Sequence, residues 1–190
     1  MVTPRPLRDP AALRALAHPA RLKILEALAL DGPATATELA EHVDESPANC
    51  SWHLRQLARY GFIEETGGGA GRQRPWRIVP GGNTWADPDE PDDRELARAG
   101  DAASEVLLDW EYAALRTWLA GRRDAPVEWR DAAFLGQTLA VLTPEELTGL
   151  GQEMLALLLR YQDRLTDPDR RPAGARPVRL MAWGVPAGTE

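Results

Sequence analysis

Signals for the beginning and end of helices follow one another closely in the first half of the chain. Asp9 before Pro10 predicts a helix that runs to about Ala17, because an aspartate cap and a proline at the first helical position both favour a helix start. A second helix is predicted after Pro19 and carries several aliphatic side chains toward a core. It is expected to end near residues 31–33, Asp-Gly-Pro.

The next two helices are predicted to be joined by a very tight turn. Residues 35–38, Thr-Ala-Thr-Glu, form a capping box that opens a short helix. Residues 44–45 leave room only for a turn before Ser46 and Pro47 restart a helix, and Gly61 is suited to end it. The sequence therefore predicts a helix, a turn and a second helix over residues 47–60.

The hydrophobic periodicity changes after Gly61. Residues 62–66 favour a strand, residues 67–71 are too rich in glycine to pack or to form a helix, and residues 73–79 favour a returning strand. The glycine run lacks the Gly-Lys-Ser/Thr ending of a phosphate loop, and no helix follows it. A β-hairpin with a tip flanked by arginine is the prediction.

This succession of elements is typical of a winged helix-turn-helix, in which the second helix enters the major groove of DNA and the hairpin rests on the neighbouring backbone or minor groove. Cys50, Leu54 and Leu57 share one face of the 47–60 helix and are expected to face the core. The other face carries side chains suited to reading bases and holding phosphates. The predicted DNA contacts are Ser46, Ala48, Asn49, Ser51, Trp52, Arg55, Gln56 and Arg59 on the helix and Arg72, Arg74 and Arg77 on the wing, residues 62–79.

Residues 10–80 also resemble the ArsR-like regulators of bacteria. The resemblance rests on two motifs, His-Pro-Ala-Arg at 18–21 and Ser-Trp-His-Leu-Arg-Gln-Leu at 51–57, together with the Gly-Phe-Ile that begins the hairpin at 61–63. It implies a homodimer that binds an inverted-repeat operator on double-stranded DNA, usually as a repressor.

The chain departs from the metal sensors of that family. Their paired-cysteine motif is missing from residues 39–43, Leu-Ala-Glu-His-Val, and Cys50 is the only cysteine. The three histidines all lie in the first 80 residues. We therefore expect no transition-metal site of the usual nitrogen and sulfur kind and no cofactor. Cys50, on the inner helix face, is expected to act as a small buried hydrophobe.

The rest of the chain is predicted to form a second, mainly helical domain. We expect a DNA-binding domain over residues 1–80, a linker over 81–92, and a dimerisation and effector domain over 93–190, giving a mainly α fold with a little β structure. A helix over 93–121 carries an apolar stripe that could pair across a two-fold axis. A second capping box at 143–146 opens a helix to about Leu165. Residues 132–142 could be strand or helix, and a strand that pairs with 178–185 is favoured.

Charge and composition limit the functional classes. Residues 1–80 hold ten Lys/Arg and nine Asp/Glu, whereas the remaining residues hold twelve and twenty, so the acidic excess lies outside the predicted DNA-binding domain.

No signal peptide or membrane span is apparent, which favours the cytoplasm. Two other interpretations stay open: a winged helix used only for protein contacts, and an enzyme in the C-terminal half. Aromatic and Met residues there leave room for an apolar small-molecule effector.

Overall fold

The computed structural model describes residues 5–67, 74–79, 83–84 and 93–188. The elements in chain order are β1 (Arg5–Pro6), α1 (Pro10–Leu16), α2 (Pro19–Leu30), α3 (Ala36–Val43), α4 (Pro47–Arg59), β2 (Ile63–Glu65), β3 (Trp76–Ile78), β4 (Asn83–Thr84), α5 (Arg94–Gly121), α6 (Val127–Ala132), α7 (Pro144–Leu158) and α8 (Asp163–Thr166). Short 3-10 turns lie at Arg122–Asp124 and Pro168–Arg170. The fold is mainly helical with small β elements, which confirms the predicted class.

Side-chain caps begin the first two helices at the predicted places. The Asp9 carboxylate accepts a hydrogen bond from the backbone N–H of Ala11 at 2.8 Å. The Nδ1 atom of His18 accepts a hydrogen bond from the N–H of Ala20 at 3.2 Å, so His18 is the N-cap of α2. A proline follows each cap, where its missing N–H costs no helical hydrogen bond.

The turn between α3 and α4 is built from local interactions. Thr35 and Glu38 form the predicted capping box at the start of α3. Asp44 adopts a left-handed backbone conformation, with φ 56°, that ends α3, and the Ser46 hydroxyl accepts the N–H of Asn49 at 3.2 Å to begin α4. Gly61, with φ 70°, turns the chain out of α4 toward the hairpin.

One hydrophobic core unites α1 to α4, the hairpin and the start of α5. Its most buried large side chains are Leu13, Ile24, Leu28, Leu39, Leu54, Leu57 and Ile63. Leu96, Ala99 and Ala103 of α5 join the same cluster, so the first turns of this long helix belong to the core of the N-terminal region. Asp93 caps α5 by accepting the N–H of Leu96 at 3.0 Å.

The hairpin pairs β2 and β3 in antiparallel register, with Ile63 opposite Ile78 and Glu65 opposite Trp76. Trp76 also exchanges two backbone hydrogen bonds with Ala34, of 2.8 and 3.0 Å, which fasten the hairpin to the segment before α3. A second sheet, which the sequence analysis did not foresee, pairs β1 and β4 in parallel.

Two predicted strands are wrong. Ala132 is the last residue of α6, residues 133–142 have no regular secondary structure, and residues 178–185 have none either. Their apolar residues favour a strand, but a strand also needs a second backbone to receive its hydrogen bonds. The helix predicted to run to Leu165 ends at Leu158, and the short helix α8 follows separately.

The chain divides into two compact units. The first contains Met1–Leu108 and Tyr161–Val178, and the second contains Asp109–Arg160 and Arg179–Glu190, so α5 contributes to both. The predicted linker over 81–92 lies outside the described residues except for 83–84. No helix in the described part of the chain has the length and apolar character needed to cross a membrane.

The core position of Leu54 yields a stability prediction. Leu54 is fully buried on α4, so Leu54→Ala should lower the free energy of unfolding by about 2–5 kcal/mol through lost burial and the cavity left behind. Arg55→Ala, the neighbouring exposed position, should change it by no more than about 0.5 kcal/mol. Urea unfolding followed by circular dichroism measures both; equal losses in the two variants would contradict the assigned faces of α4.

Candidate nucleic-acid interface

Helix α4 separates its side chains into an inner and an outer face. Cys50, His53, Leu54 and Leu57 are buried on the inner face. The outer face carries the side chains that the sequence analysis selected. Ala48, Asn49, Trp52, Arg55 and Arg59 are exposed, and Ser51 and Gln56 are partly exposed. The structure thus brings all seven onto one accessible surface, here called the α4 outer face.

Two of the selected polar groups at the start of α4 already have partners within the chain. The Ser46 hydroxyl is the helix cap, and the Asn49 side-chain amide donates a hydrogen bond to the Glu45 carboxylate at 3.0 Å. The Glu45 contact is exposed, so exchanging it for a contact with a base would cost little. Ser46 serves α4 structurally whether or not it also contacts DNA.

A groove of about 250 Å³ lies between the start of α3, the α4 outer face and the hairpin. Its lining residues are Thr35, Ala36, Thr37, Ser51, Arg55, Glu65, Arg74 and Trp76. Ser51, Arg55 and Arg74 were predicted site residues, and the groove brings them together. Thr35, Thr37 and Trp76 were missed. The capping box at 35–38 was the available signal, since it marks a helix start. The Thr35 hydroxyl and N–H are bonded to the Glu38 carboxylate, and Thr37 carries the exposed hydroxyl at this helix start.

The arginines of the hairpin form ion pairs with its own glutamates. Arg74 lies 2.8 Å from the Glu65 carboxylate and Arg77 lies 2.6 Å from that of Glu64. All four side chains are at least 40% exposed, so both pairs are weak and can exchange for phosphates. Arg72, the third predicted wing contact, lies outside the described residues.

Trp52 is supported by an aromatic group from the inner face. It is 49% exposed, and its ring meets that of His53 edge-on with centroids 5.0 Å apart. His53 in turn lies 4.7 Å from the ring of His18. The large, exposed Trp52 side chain is therefore positioned by a row of rings.

Behind this row lies a buried polar group. Arg21 and His53 are buried, and neither Arg21 Nε nor His53 Nδ1 has a hydrogen-bond partner in the described part of the structure. Burial lowers the pKa of His53, and nearby His18 and Arg21 lower it further against a small opposing effect of Glu45. Burial and Arg21 also lower the pKa of His18. The lowered pKa values favour the neutral form of both rings, and His53 packs on the inner face of α4.

Cys50 is fully buried, and burial raises the pKa of its thiol to about 11. A thiol that stays protonated at neutral pH is a poor nucleophile and a poor metal ligand. It packs as the small hydrophobe predicted from its helix face. Among the described residues, no group of three or more His, Cys, Asp or Glu side chains could hold a metal ion.

Comparisons with known proteins found similarity to one family model and to solved structures. Residues 16–66 match the family model described as a helix-turn-helix domain. One similar solved structure is a MarR family transcription regulator, with 21% identity, a TM-score of 0.36, and coverage of 80% of this chain and 77% of that one. Another is a transcriptional regulator from Thermotoga maritima, with 14% identity, a TM-score of 0.31, and coverage of 62% and 80%. No curated protein matches the chain.

The neutral histidines predict a dependence of stability on pH. Because their folded-state pKa values are lowered, the unfolded chain binds more protons below about pH 6.5, the ordinary pKa of histidine. Their contribution to the free energy of unfolding should be complete above that pH and should be lost as the pH falls beneath it. His53→Gln cannot acquire this charge and should flatten the slope of stability against pH below about pH 6.5. Urea unfolding at a series of pH values measures the slope of the free energy of unfolding against pH. Equal slopes for the parent and the variant would contradict the assignment of this pH dependence to His53.

Proposed function

We propose that this chain is a sequence-specific transcriptional regulator that binds double-stranded DNA as a homodimer and acts as a repressor. The observation that supports this most is the α4 outer face. Ser51 and Arg55 of that face also line the groove beside the hairpin, so the face and the groove form one polar surface that carries arginines. In the proposed complex α4 lies in the major groove, and the hairpin contacts the adjacent backbone or minor groove.

The chemistry of the outer face suits direct reading of base edges. Arg55 can donate two hydrogen bonds to guanine, and Asn49 or Gln56 can pair with adenine. Ser51 can contact a base or a phosphate, and Ala48 is small enough to meet a thymine methyl group. Trp52, held by His53, adds a rigid apolar surface in the same groove.

Other groups are placed to hold phosphates. Arg59 at the end of α4 and Arg74 and Arg77 on the hairpin are exposed cations. Ser46 and Thr37 offer hydroxyl groups at the starts of the two helices, where helix dipoles also favour anions. Such contacts fix the position of a protein on DNA but carry no sequence information.

The second half of α5 supports the homodimer. Leu108, Tyr112 and Leu119 follow one another at helical spacing and are each more than a third exposed, as is Trp118. A large apolar stripe on a helix is normally covered, and a second copy of the same helix would cover it symmetrically. A dimer also doubles the DNA contacts and matches an inverted repeat with half-sites about one helical turn apart.

Several finer assignments stay predictions. They are the ArsR-like resemblance, the apolar effector, the cytoplasmic location and the domain limits at residues 80 and 93. A winged helix used only for protein contacts is the alternative. The α4 outer face favours DNA over this alternative. It combines arginines with the side-chain amides of Asn49 and Gln56, and a surface used only for protein contacts does not need that combination.

The proposal predicts unequal losses for specific and non-specific DNA. Arg55→Ala should weaken binding to the preferred duplex by about 5- to 150-fold, the loss of one good base contact, and weaken binding to a scrambled duplex much less. The preferred duplex is first enriched from a random library with the parent protein. Fluorescence anisotropy at several salt concentrations then gives both dissociation constants.

Arg98→Ala is the matched control, since it removes an exposed arginine of α5 outside the proposed interface. It should change neither dissociation constant by more than about twofold, as a screened distant charge contributes little. Equal losses on both duplexes for Arg55→Ala would make Arg55 a phosphate contact only. Failure of the parent protein to enrich or retain any duplex at low salt would contradict DNA binding and favour the protein-contact alternative.

A further inference from the structure

The second unit, Asp109–Arg160 with Arg179–Glu190, differs from the first in having no buried side chain among its described residues. Its apolar residues are abundant, yet all are partly or largely exposed. A stable unit of this size normally encloses a hydrophobic core. The second unit therefore contains enough apolar residues to form a hydrophobic core, but these residues are not buried.

The exposure is greatest in residues 133–142, here called the arm. Phe134 is 84% exposed, Leu139 is 80% exposed and Val141 is completely exposed. The arm reads Ala-Phe-Leu-Gly-Gln-Thr-Leu-Ala-Val-Leu and carries no charge. An uncharged apolar stretch of this length in water is a surface that another chain is expected to cover.

The backbone of the arm takes almost no part in hydrogen bonding, apart from the Leu139 carbonyl, which accepts the Thr138 hydroxyl at 3.4 Å. Among the described residues, 134–142 form no backbone–backbone hydrogen bond, and the same holds for residues 180–185, here called the tail segment. Extended backbone with free N–H and C=O groups is a template for pairing with a further strand. Both segments thus combine unpaired backbone with exposed apolar side chains.

The tail segment, unlike the arm, is anchored to its own unit. Immediately before it, the Arg179 guanidinium lies 3.0 Å from the Glu111 carboxylate and over the Trp110 ring. Gly184 lies so close to α7 that a Cβ there would come within 3.1 Å of the Leu147 side chain. An anchored segment with unused hydrogen-bonding groups can receive an incoming strand.

We propose that the arm of one copy pairs as a β-strand with the tail segment of a second copy, and that the two-fold axis repeats this exchange. The proposal names an interface for the homodimer and rests on that part of the proposed function. It also accounts for the apolar, strand-like composition of two segments that form no strand within one chain. The partner is a second copy because it supplies both an arm and a receiver, and a symmetric pair leaves neither uncovered.

The exposed area is sufficient for such an interface. With about 150–250 Å² for a whole aromatic side chain, Phe134 and Trp183, 84% and 68% exposed, together present on the order of 300 Å². A standard interface takes about 800 Å² from each partner. The aliphatic side chains of the arm and tail segment, with Leu139, Val141 and Met181 among them, supply much of the remainder.

Cross-linking distinguishes exchange between copies from pairing within one chain. The variant Leu139→Cys/Met181→Cys places one thiol on the arm and one on the tail segment, and buried Cys50 is unreactive. A flexible bismaleimide tolerates an unknown strand register. Exchange predicts a covalent dimer on a denaturing gel, and mixing the two single variants should give the same dimer. Leu139→Cys mixed with Glu153→Cys, an exposed residue of α7, is the control and should give far less.

A cross-link confined to one chain would overturn the exchange and show pairing within the monomer. No cross-link from a protein that sedimentation shows to be monomeric would also overturn it and leave the arm to a different partner. In either case DNA binding by α4 is measured separately, so a failed exchange is distinguishable from a failed DNA proposal.

A proline in the arm tests the hydrogen-bonded strand itself. Leu139→Pro removes a backbone donor and an apolar side chain in both copies, so the dimer dissociation constant from analytical ultracentrifugation should rise about 100-fold or more. The control, Glu153→Ala, should leave it within about threefold. An unchanged constant for Leu139→Pro in a protein that still dimerises would overturn the exchange while leaving a dimer through α5 intact. The parent's thermal transition, retained in Leu139→Pro, would show that the first unit is still folded.

Discussion

Burial of the inner face of α4 is the interaction on which the rest of the N-terminal region depends. A helix of 13 residues is marginal in water by itself, so α4 exists as a rigid rod because Cys50, Leu54 and Leu57 are packed in the core. That packing fixes which way the opposite face points. The same constraint keeps His53 inward and makes it the support of Trp52. The chemistry offered to a ligand is therefore a consequence of core packing.

Local capping sets the path into and out of α4. The left-handed Asp44, the Ser46 cap and Gly61 fix the chain direction within a few residues on either side. The hairpin then depends on this exit, and Trp76 ties it back to Ala34. Those ties lie beside the groove, and they hold the hairpin against the segment that leads into α3. The cations of the surface remain exposed and exchangeable.

How much could be predicted from the sequence depends on the range of the interaction. The starts of α1, α3 and α4 were predictable because Asp9, Thr35 and Ser46 act on backbone groups within three residues, and Pro19 marked the start of α2; the His18 cap was not foreseen. The faces of α4 were predictable from helical spacing alone. The pairing of Arg74 with Glu65 required the hairpin register, and the groove required three elements to meet. Residues 133–142 were assigned wrongly because their composition favours a strand. Whether a strand forms also depends on a second backbone that pairs with it, and the sequence of the segment does not show whether one is present.

The two units obtain their stability in different ways, and α5 contributes residues to both. Its first turns add Leu96, Ala99 and Ala103 to a complete core, whereas its second half carries apolar side chains that remain exposed. One continuous helix of 28 residues, about 42 Å long, thus passes from a self-sufficient unit into one that lacks its own core. If a second copy completes that core, folding of the second unit and dimerisation are a single equilibrium that depends on protein concentration. The first unit would then be folded at every concentration, while the geometry that the proposed inverted-repeat site requires would exist only in the dimer.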